Sequence, residues 1–407
     1  MNKLSIPPRP TSYDKRVALV LQGGGALGSY QAGVYEALAD SPYLPDWIAG
    51  ISIGAINAAI IAGNPPEARV DALRKFWDGI TAAPWLWPAL SGVMTDDHGR
   101  FVSSANSILF GQPGFFAPRP VLDWFRKAAP ASYYDTRMLR QTLERHVDFD
   151  RINSGEMRFS VGAFNVTNGN FMNFDNARTV IRPEHVMASA ALPPGFPAIE
   201  IDGEWYWDGG LVSNTPLQHV LENVPRRSRL TFQVDLFPAR GKCPNNLAEV
   251  YERANDIRYS SRTRASTETL RTMHDVRHNI NGLWERLPEH LRKSREALFL
   301  YEFGCVTTMD IVELIYRPDE PQGQSKDFEF SAQTMHKRWA EGVKDATVTL
   351  VASPWLVPMP PDVGARTFDV VRDQRAKARR NIQRRNKKGS HRAESTRHSA
   401  KSVRQAD

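Results

Sequence analysis

The sequence predicts an α/β fold with a mainly parallel central sheet, and two observations near its N-terminus support this. The apolar segment 16–22 is followed by a glycine-rich turn and then by residues 29–39, which have helical composition. A second apolar segment, 47–51, leads through a sharp turn into a small-residue helix over 53–63. Strands that alternate with helices in this way form parallel sheets, whose chemistry lies in the loops at the carboxyl ends of the strands.

The elements that follow are predicted from local patterns. Residues 158–165 and 169–175 flank an Asn168-Gly169 pair, which is a strong signal for an antiparallel hairpin. Residues 229–236 form a further strand candidate. Two longer stretches complete the prediction, with 247–297 mostly helical in composition and 299–316 expected as strand with turns.

The composition describes a globular chain without a spanning segment. Its 407 residues are 41% hydrophobic, enough for one large domain with appended segments. No apolar run approaches the roughly 18 residues that a membrane-spanning helix needs. Pro7, Pro8 and Pro10 interrupt what would be the apolar part of a secretory signal, so a cytoplasmic protein is expected. Cys243 and Cys305 are too few for a disulfide framework or a metal cluster.

The net charge of +7 is concentrated at one end of the chain. Residues 371–407 hold thirteen Lys or Arg and three Asp or Glu, a charge of +10, so the remaining 370 residues carry −3. Apolar residues almost vanish there, which predicts a disordered tail. A basic tail is attracted to phosphate-rich surfaces, so we expect peripheral contact with an anionic membrane and no specific nucleic-acid binding. A solubilising role is the alternative.

Residues 81–120 form a proline-broken, aromatic-rich stretch. Such a long irregular segment in a compact domain is typical of an active-site cover, and its aromatic residues argue against disorder. Plain core packing is the alternative interpretation. The aromatic residues in question are Trp85, Trp87, Phe101, Phe110, Phe115 and Phe116.

Three motifs carry candidate chemistry. Gly50-Ile51-Ser52-Ile53-Gly54 is a GxSxG pattern between a predicted strand and a predicted helix, the setting in which a serine nucleophile sits on a strained turn. Gly50 and Gly54 leave room for that turn. An ordinary glycine-flanked serine is the alternative, since GxSxG alone is a weak pattern.

The second motif is the glycine turn, with Gly23, Gly24, Gly25 and Gly28 in a GxGxxG spacing. After a strand and before a helix, this spacing suggests a dinucleotide site, which also needs an acidic residue at the end of the second strand. That strand ends in Ser52 instead. Because the same backbone N–H groups can hold an oxyanion, the pair of motifs favours a hydrolase over a dehydrogenase.

The third motif, Asp208-Gly209-Gly210, is by itself a plausible tight turn. A serine nucleophile also needs a base within hydrogen-bond reach, and Gly209 and Gly210 let the Asp208 carboxylate approach another backbone closely.

The set GGGALG, GISIG and DGG, in this order, resembles the patatin-like phospholipase family. Residues 187–216 (MASAALPPGFPAIEIDGEWYWDGGLVSNTP) are similar to that family's approach to its catalytic aspartate. The resemblance covers about residues 16–236. Residues 240–370 look similar to the C-terminal extension of a bacterial subgroup. In the family a smaller residue usually follows the nucleophile, where this chain has Ile53.

The resemblance implies a three-layer α/β sandwich with a mixed C-terminal extension, and hydrolysis of lipid or other acyl esters by a Ser–Asp dyad. Ser52 would be the nucleophile, Asp208 the proton acceptor, and the glycine turn the oxyanion hole, with no metal or cofactor. The expected organisation is a leader (1–15), a catalytic domain (16–236) with a lid candidate (81–120), an extension (237–370) and the basic tail (371–407).

Three rival functions remain at this stage. A Ser-His-Asp hydrolase would use His185 or His219. In that fold, however, the turn that carries the serine follows several strands, whereas here it follows the first βα unit. A non-catalytic lipid- or membrane-binding protein would keep the fold. A nucleotide-binding protein is disfavoured because no Gly-Lys-Ser/Thr follows the glycines.

Overall fold

The computed structural model describes residues 5–81, 104, 107–125, 131–319, 322–323, 325–378 and 380. Met1–Phe368 belong to one compact unit and Asp369–Asp407 to a second. Much of the lid candidate (82–103 and 105–106) and most of the basic tail (379 and 381–407) lie outside the described residues. The expectations for those parts therefore stay predictions.

The described residues form helices and strands that alternate over the first half of the chain. The helices are α1 Gly28–Ala39, α2 Ile53–Ala62, α3 Arg69–Thr81, α4 Arg137–His146, α5 Phe149–Ser154, α6 Pro183–Ser189, α7 Leu217–Glu222, α8 Leu247–Arg286, α9 Glu289–Arg292, α10 Arg295–Phe303 and α11 Ala332–Ala352. The strands are β1 Arg16–Leu21, β2 Trp47–Gly50, β3 Ala117–Pro118, β4 Tyr134–Asp135, β5 Arg158–Asn165, β6 Phe171–Asp175, β7 Ile199–Ile201, β8 Glu204–Asp208, β9 Arg229–Asp235, β10 Met309–Ile315 and β11 Ala365–Phe368.

The main sheet has the strand order β11-β10-β9-β1-β2-β5-β8-β7, with β6 paired to β5. The strands from β11 to β5 are parallel to their neighbours, whereas β6 and β8 run antiparallel to β5. The predicted fold class and the predicted β5–β6 hairpin are thereby confirmed. Because Leu21 of β1 is in register with Gly50 of β2, the loops after these strands lie side by side.

Alternating residues of β1 face two different helical layers. Val17, Leu19 and Leu21 pack with residues of α1, α2, α3 and α11, while Ala18 and Val20 pack with residues of α7 and α8. This alternation is the period-two pattern of a strand buried on both faces. The result is a sheet between two layers of helices, as the three-layer prediction requires.

The segment predicted as a C-terminal extension takes part in the sheet and in one helical layer. Strand β10 pairs in parallel with β9 over its whole length, and β11 pairs with β10. Helix α11 packs on α1, where the Tyr30 hydroxyl donates to the Asp345 carboxylate at 3.0 Å. These elements enclose the core formed by residues 16–236.

One expectation in this segment was wrong. Residues 299–303 were expected as strand, but they complete α10, whose first turn is capped by Ser294 accepting from the Ala297 amide. The run Leu298-Phe299-Leu300-Tyr301 is apolar at every position. Over so few residues an apolar run does not distinguish a strand from a helix, because it shows no period. The predicted strand near 309–316 is confirmed as β10.

Candidate active site

Ser52 sits on a strained turn between β2 and α2. Its backbone has φ 56° and ψ −126°, a conformation that L-residues rarely adopt. A Cβ atom on Gly50 would collide with the Gly54 carbonyl, and one on Gly54 would collide with the Leu21 carbonyl. Glycines are therefore needed on both sides of the serine. The geometry is that of a nucleophile elbow at the carboxyl end of β2.

The end of α6 fixes this elbow from outside. The Ser52 amide donates to the Ser189 carbonyl at 3.0 Å, and the Ser189 Oγ lies 3.2 Å from the same amide. Ser189 is fully buried. The Ser52 amide is thus occupied and has no role as a donor to substrate. Sequence reasoning assigned no role to Ser189, because a small residue in a small-residue stretch gives no local signal.

Asp208 lies at the end of β8, buried beneath Ser52. Its Oδ1 accepts the Gly210 amide at 2.7 Å, and Asp208 and Ser52 line the same cavity. Burial raises the pKa of Asp208 to about 7, against the opposing effect of the Gly210 amide and the nearby Ser52 hydroxyl. A carboxyl group with such a pKa takes and releases a proton near neutral pH.

The glycine turn lies against the serine, but its four glycines differ in what their amides do. Gly23 donates to the Asn214 carbonyl at 3.2 Å, and Gly28 donates to the Gly25 carbonyl. Those two amides are already used, which corrects the expectation that all four line the oxyanion site. Within the described part of the chain, the amides of Gly24 and Gly25 have no protein acceptor.

Gly25 needs its lack of a side chain for two reasons. Its φ is +54°, in the left-handed region, and a Cβ atom there would collide with the Asp327 carbonyl. The turn is therefore in direct contact with the short 3₁₀ helix Lys326–Phe328. That helix belongs to the segment predicted as an extension.

A cavity with aromatic walls lies beside Ser52. It is bounded by the two candidate catalytic residues, the glycine turn and a set of largely apolar side chains. The apolar residues that line it are Ile53, Phe115, Phe116, Ala190, Leu192, Phe196, Phe237, Tyr259, Phe328 and Phe330. Phe115 and Phe116 come from the part of the 81–120 stretch that the structure describes, and these two residues are buried at the cavity, whereas Phe110 is exposed.

Asp327 brings a second carboxyl group to the same cavity. Burial raises its pKa to about 6. Sequence reasoning did not identify this residue, because it lies 119 positions beyond Asp208 in a stretch without a motif. Only the packing of the extension against the glycine turn places it here.

The two histidines considered for a Ser-His-Asp triad have other partners. His219 Nε2 is 2.9 Å from Asp175 Oδ2, and His185 Nδ1 accepts from the Arg182 amide at 2.9 Å. Neither residue lines the cavity beside Ser52. The structure therefore places Asp208, and not a histidine, next to the candidate nucleophile.

The described residues contain no group of three or more His, Cys, Asp or Glu that could hold a metal ion. They also contain no helix that combines the length and the apolar character needed to cross a membrane.

Comparison with known protein families gives two matches. Residues 19–221 match the family model described as patatin-like phospholipase, and residues 257–362 match one described as patatin phospholipase. The second match covers most of the segment that encloses the core. The two matched regions are those that meet at the glycine turn.

Individual proteins match over shorter stretches. Triacylglycerol lipase SDP1L of Arabidopsis thaliana is 33% identical over 81 residues, which are 20% of this chain and 10% of that protein. A patatin-like phospholipase domain-containing protein of Aspergillus clavatus is 36% identical over 80 residues, 18% of this chain and 11% of that protein. The chain thus matches about a tenth of the length of these relatives. Among solved structures, VipD from Legionella pneumophila is 14% identical, with a TM-score of 0.38, over 84% of this chain and 67% of that one.

Proposed function

We propose that this chain, which belongs to the patatin-like phospholipase family, is a serine lipid acyl hydrolase. Ser52 is the nucleophile and Asp208 is its base. The observation that carries the proposal is that Ser52, on its strained turn, and the buried carboxyl group of Asp208 line the same cavity, close enough for the Ser52 hydroxyl to affect the pKa of Asp208. The pairing supplies a nucleophile and a proton acceptor within reach of each other.

In the first half of the proposed reaction, Asp208 accepts the Ser52 hydroxyl proton as the oxygen attacks an ester carbonyl. The carbonyl electron pair moves onto its oxygen, and the amides of Gly24 and Gly25 hold the negative charge. When this tetrahedral intermediate collapses, the alcohol leaves with the proton from Asp208. The acyl group remains on Ser52 as an ester.

In the second half, water replaces the alcohol. Asp208 takes a proton from the water as its oxygen attacks the acyl carbonyl, and the same amides hold the oxyanion. Collapse releases the carboxylic acid and returns the proton to Ser52. The raised pKa of Asp208 supports both halves, because a base with a pKa near the working pH accepts and donates with similar ease.

The aromatic cavity supports an apolar acyl group as the part of the substrate next to Ser52. This makes the enzyme a carboxylic ester hydrolase of lipid degradation. Contact with an anionic membrane through the basic tail is the accompanying proposal for where it meets its substrate.

A non-catalytic lipid-binding protein on the same fold is the second candidate, because the aromatic cavity would serve a bound acyl chain equally well. The discriminating property is reactivity at Ser52. A binding protein needs neither the strained serine backbone nor a base with a raised pKa.

The test is labelling with a fluorophosphonate, followed by identification of the labelled residue, together with hydrolysis of p-nitrophenyl esters. The wild type is expected to react at Ser52, and Ser52→Ala to show neither labelling nor turnover. In Asp208→Asn, both rates are expected to fall by about 10²–10⁴-fold, the usual contribution of a general base.

Ser213→Ala is the matched control, because Ser213 lies in the same loop as Asp208 and donates to the Thr215 carbonyl. It should react like the wild type. Full activity in Ser52→Ala would overturn the mechanism. A wild type that is inert even with lipid vesicles present would favour the binding protein.

A further inference from the structure

Part of the cavity wall comes from residues 325–330, within the region of the second family match, and this part contacts the 107–125 segment. Phe330 lies 6.1 Å from Phe115 and 6.5 Å from Phe116 between ring centroids, and Phe328 lies 6.5 Å from Phe116. Through these edge-on contacts, the four phenylalanine side chains form a continuous aromatic wall beside Ser52. The position of the segment 325–330 therefore decides how much room an acyl group has.

A buried ion pair holds this segment from behind. Lys326 Nζ lies 2.6 Å from Asp256 Oδ1 and 3.3 Å from Glu252 Oε1, with the lysine side chain 3% exposed. Both carboxylates belong to α8. The Lys326 ammonium also lies 5.6 Å from the Phe237 ring, which lines the cavity. The ion pair thus connects α8 to the residue that precedes Asp327 and Phe328.

Arg338 and Glu252, both buried, also bind backbone groups in this segment and just before it. Arg338 of α11 donates to the carbonyl of Glu329 at 3.1 Å and to that of Lys326 at 3.0 Å. Glu252 accepts the amides of Gln322 and Gly323. Since a buried charge without a partner is costly, these contacts hold the segment to one geometry.

We propose that Lys326 is a positioning residue for acyl-chain selectivity: its buried ion pair with Asp256 holds the segment 325–330 against the glycine turn, so that Phe328 and Phe330 limit the acyl length. This deepens the proposed function and rests on it. Between two esters that differ in acyl length, the one with the shorter acyl group at Ser52 is then the preferred substrate. Longer chains require the aromatic wall to move, which the ion pair opposes.

The test compares kcat/KM for butyryl and octanoyl p-nitrophenyl esters. In the double variant Lys326→Met/Asp256→Asn, which removes the shorter ion pair while Glu252 keeps the amides of Gln322 and Gly323 as partners, the octanoyl-to-butyryl ratio should rise by about tenfold. This is the discrimination that a methylene or two provides in an apolar pocket. Phe330→Ala opens the wall directly and should shift the ratio in the same direction.

Lys15→Met is the matched control. Lys15 forms another buried pair, with Asp310 at 2.7 Å, on strand β10 away from the cavity. Its loss should leave the ratio at the wild-type value. An equal shift in Lys15→Met would overturn the proposal, because general loosening would then explain the effect. An unchanged ratio in the double variant or in Phe330→Ala would overturn it as well.

A second readout does not depend on turnover. Binding of the neutral amides butanamide and octanamide to Ser52→Ala, measured by calorimetry with and without the Lys326→Met/Asp256→Asn changes, reports the size of the cavity directly. Amide hydrogen exchange at residues 325–331 should also accelerate in the double variant. If the wild type hydrolyses no ester, the proposed function fails, whereas unchanged amide binding and exchange would sink the positioning role alone.

Discussion

Asn214 holds both polar groups of one glycine. The Asn214 side-chain Nδ2 donates to the Gly23 carbonyl at 3.1 Å, and the Asn214 backbone carbonyl accepts the Gly23 amide at 3.2 Å. The two residues are 191 positions apart, since Gly23 begins the glycine turn and Asn214 follows the Asp-Gly-Gly motif. The loop that carries Asp208 is thereby joined to the turn that carries Gly24 and Gly25, so the proposed base and the proposed oxyanion donors are held by the same contact.

Replacement of Asn214 by alanine should lower kcat more than it raises KM. The Gly23 carbonyl would lose its side-chain partner inside the protein, at a cost of about 1–3 kcal/mol, and the turn would shift. A small misplacement of catalytic groups lowers rates by about 10–10²-fold. Steady-state kinetics and urea unfolding check this.

Asn64→Ala serves as the comparison, since Asn64 Nδ2 also donates to two carbonyls, those of Ile60 and His146, both at 2.8 Å. It should lose stability without a similar loss of kcat. Equal kinetic effects in the two variants would contradict the role given to Asn214.

The pH–rate profile should follow the ionisation of Asp208. The base acts in its deprotonated form, and its pKa is about 7, so kcat/KM for a neutral ester should fall by about tenfold per pH unit below that value and level off above it. Asp327 faces the same cavity with a pKa of about 6. Asp327→Asn should keep the limb near 7. If the wild-type rate instead began to fall at a clearly lower pH than 7, a different group would be the base.

Relative to the wild type, the variant Asp208→Asn should become more stable as the pH rises. The folded pKa of Asp208, about 7, lies above its ordinary value of 3.8, so the folded state holds a proton that the unfolded state has lost between these values. Wild-type stability therefore decreases as the pH rises through this window. From about pH 5 to about pH 8, the variant should gain on the order of 2–3 kcal/mol relative to the wild type.

Urea unfolding at both pH values measures this difference. Asp235, which is also buried with a raised pKa, contributes equally to both proteins and cancels. The exposed Asp40, replaced by Asn, should reproduce the wild-type pH dependence. If Asp208→Asn and the wild type showed the same pH dependence of stability, folding would not raise the pKa of Asp208.

Gly25→Ala should abolish most activity. The added methyl group would meet the Asp327 carbonyl in a backbone with φ +54°, so the turn must move and carry the Gly25 amide with it. Loss of one oxyanion donor usually lowers kcat by about 10²–10³-fold. Gly79→Ala, where a Cβ meets nothing within 4 Å, should instead stabilise α3 by about 0.5–1 kcal/mol at full activity. A Gly25→Ala enzyme with normal kcat would remove this turn from the mechanism.

The order of strands and helices up to β2 and α2 could be predicted because those segments carry their own signals. Strand β1 is apolar and buried from Val17 to Leu21, and the small residues of α2 allow close packing. Residues 299–303 were assigned to a strand for the opposite reason, since a short apolar run has no period. The local pattern predicted the element correctly only where the length of the segment or the spacing of its apolar residues distinguished a strand from a helix.

The sequence by itself determined the serine between two glycines, the glycine turn after β1 and the aspartate before a Gly-Gly pair, because each of these motifs lies within a few consecutive residues. Only the tertiary structure decided which glycine amides remain open to substrate, that Asn214 joins the two loops, and that Lys326 and Asp327 lie behind and beside the cavity. Those relationships join residues far apart in the chain. The free energy that fixes them comes from burial and pairing between distant segments, which leaves no periodicity in either segment for a sequence to display.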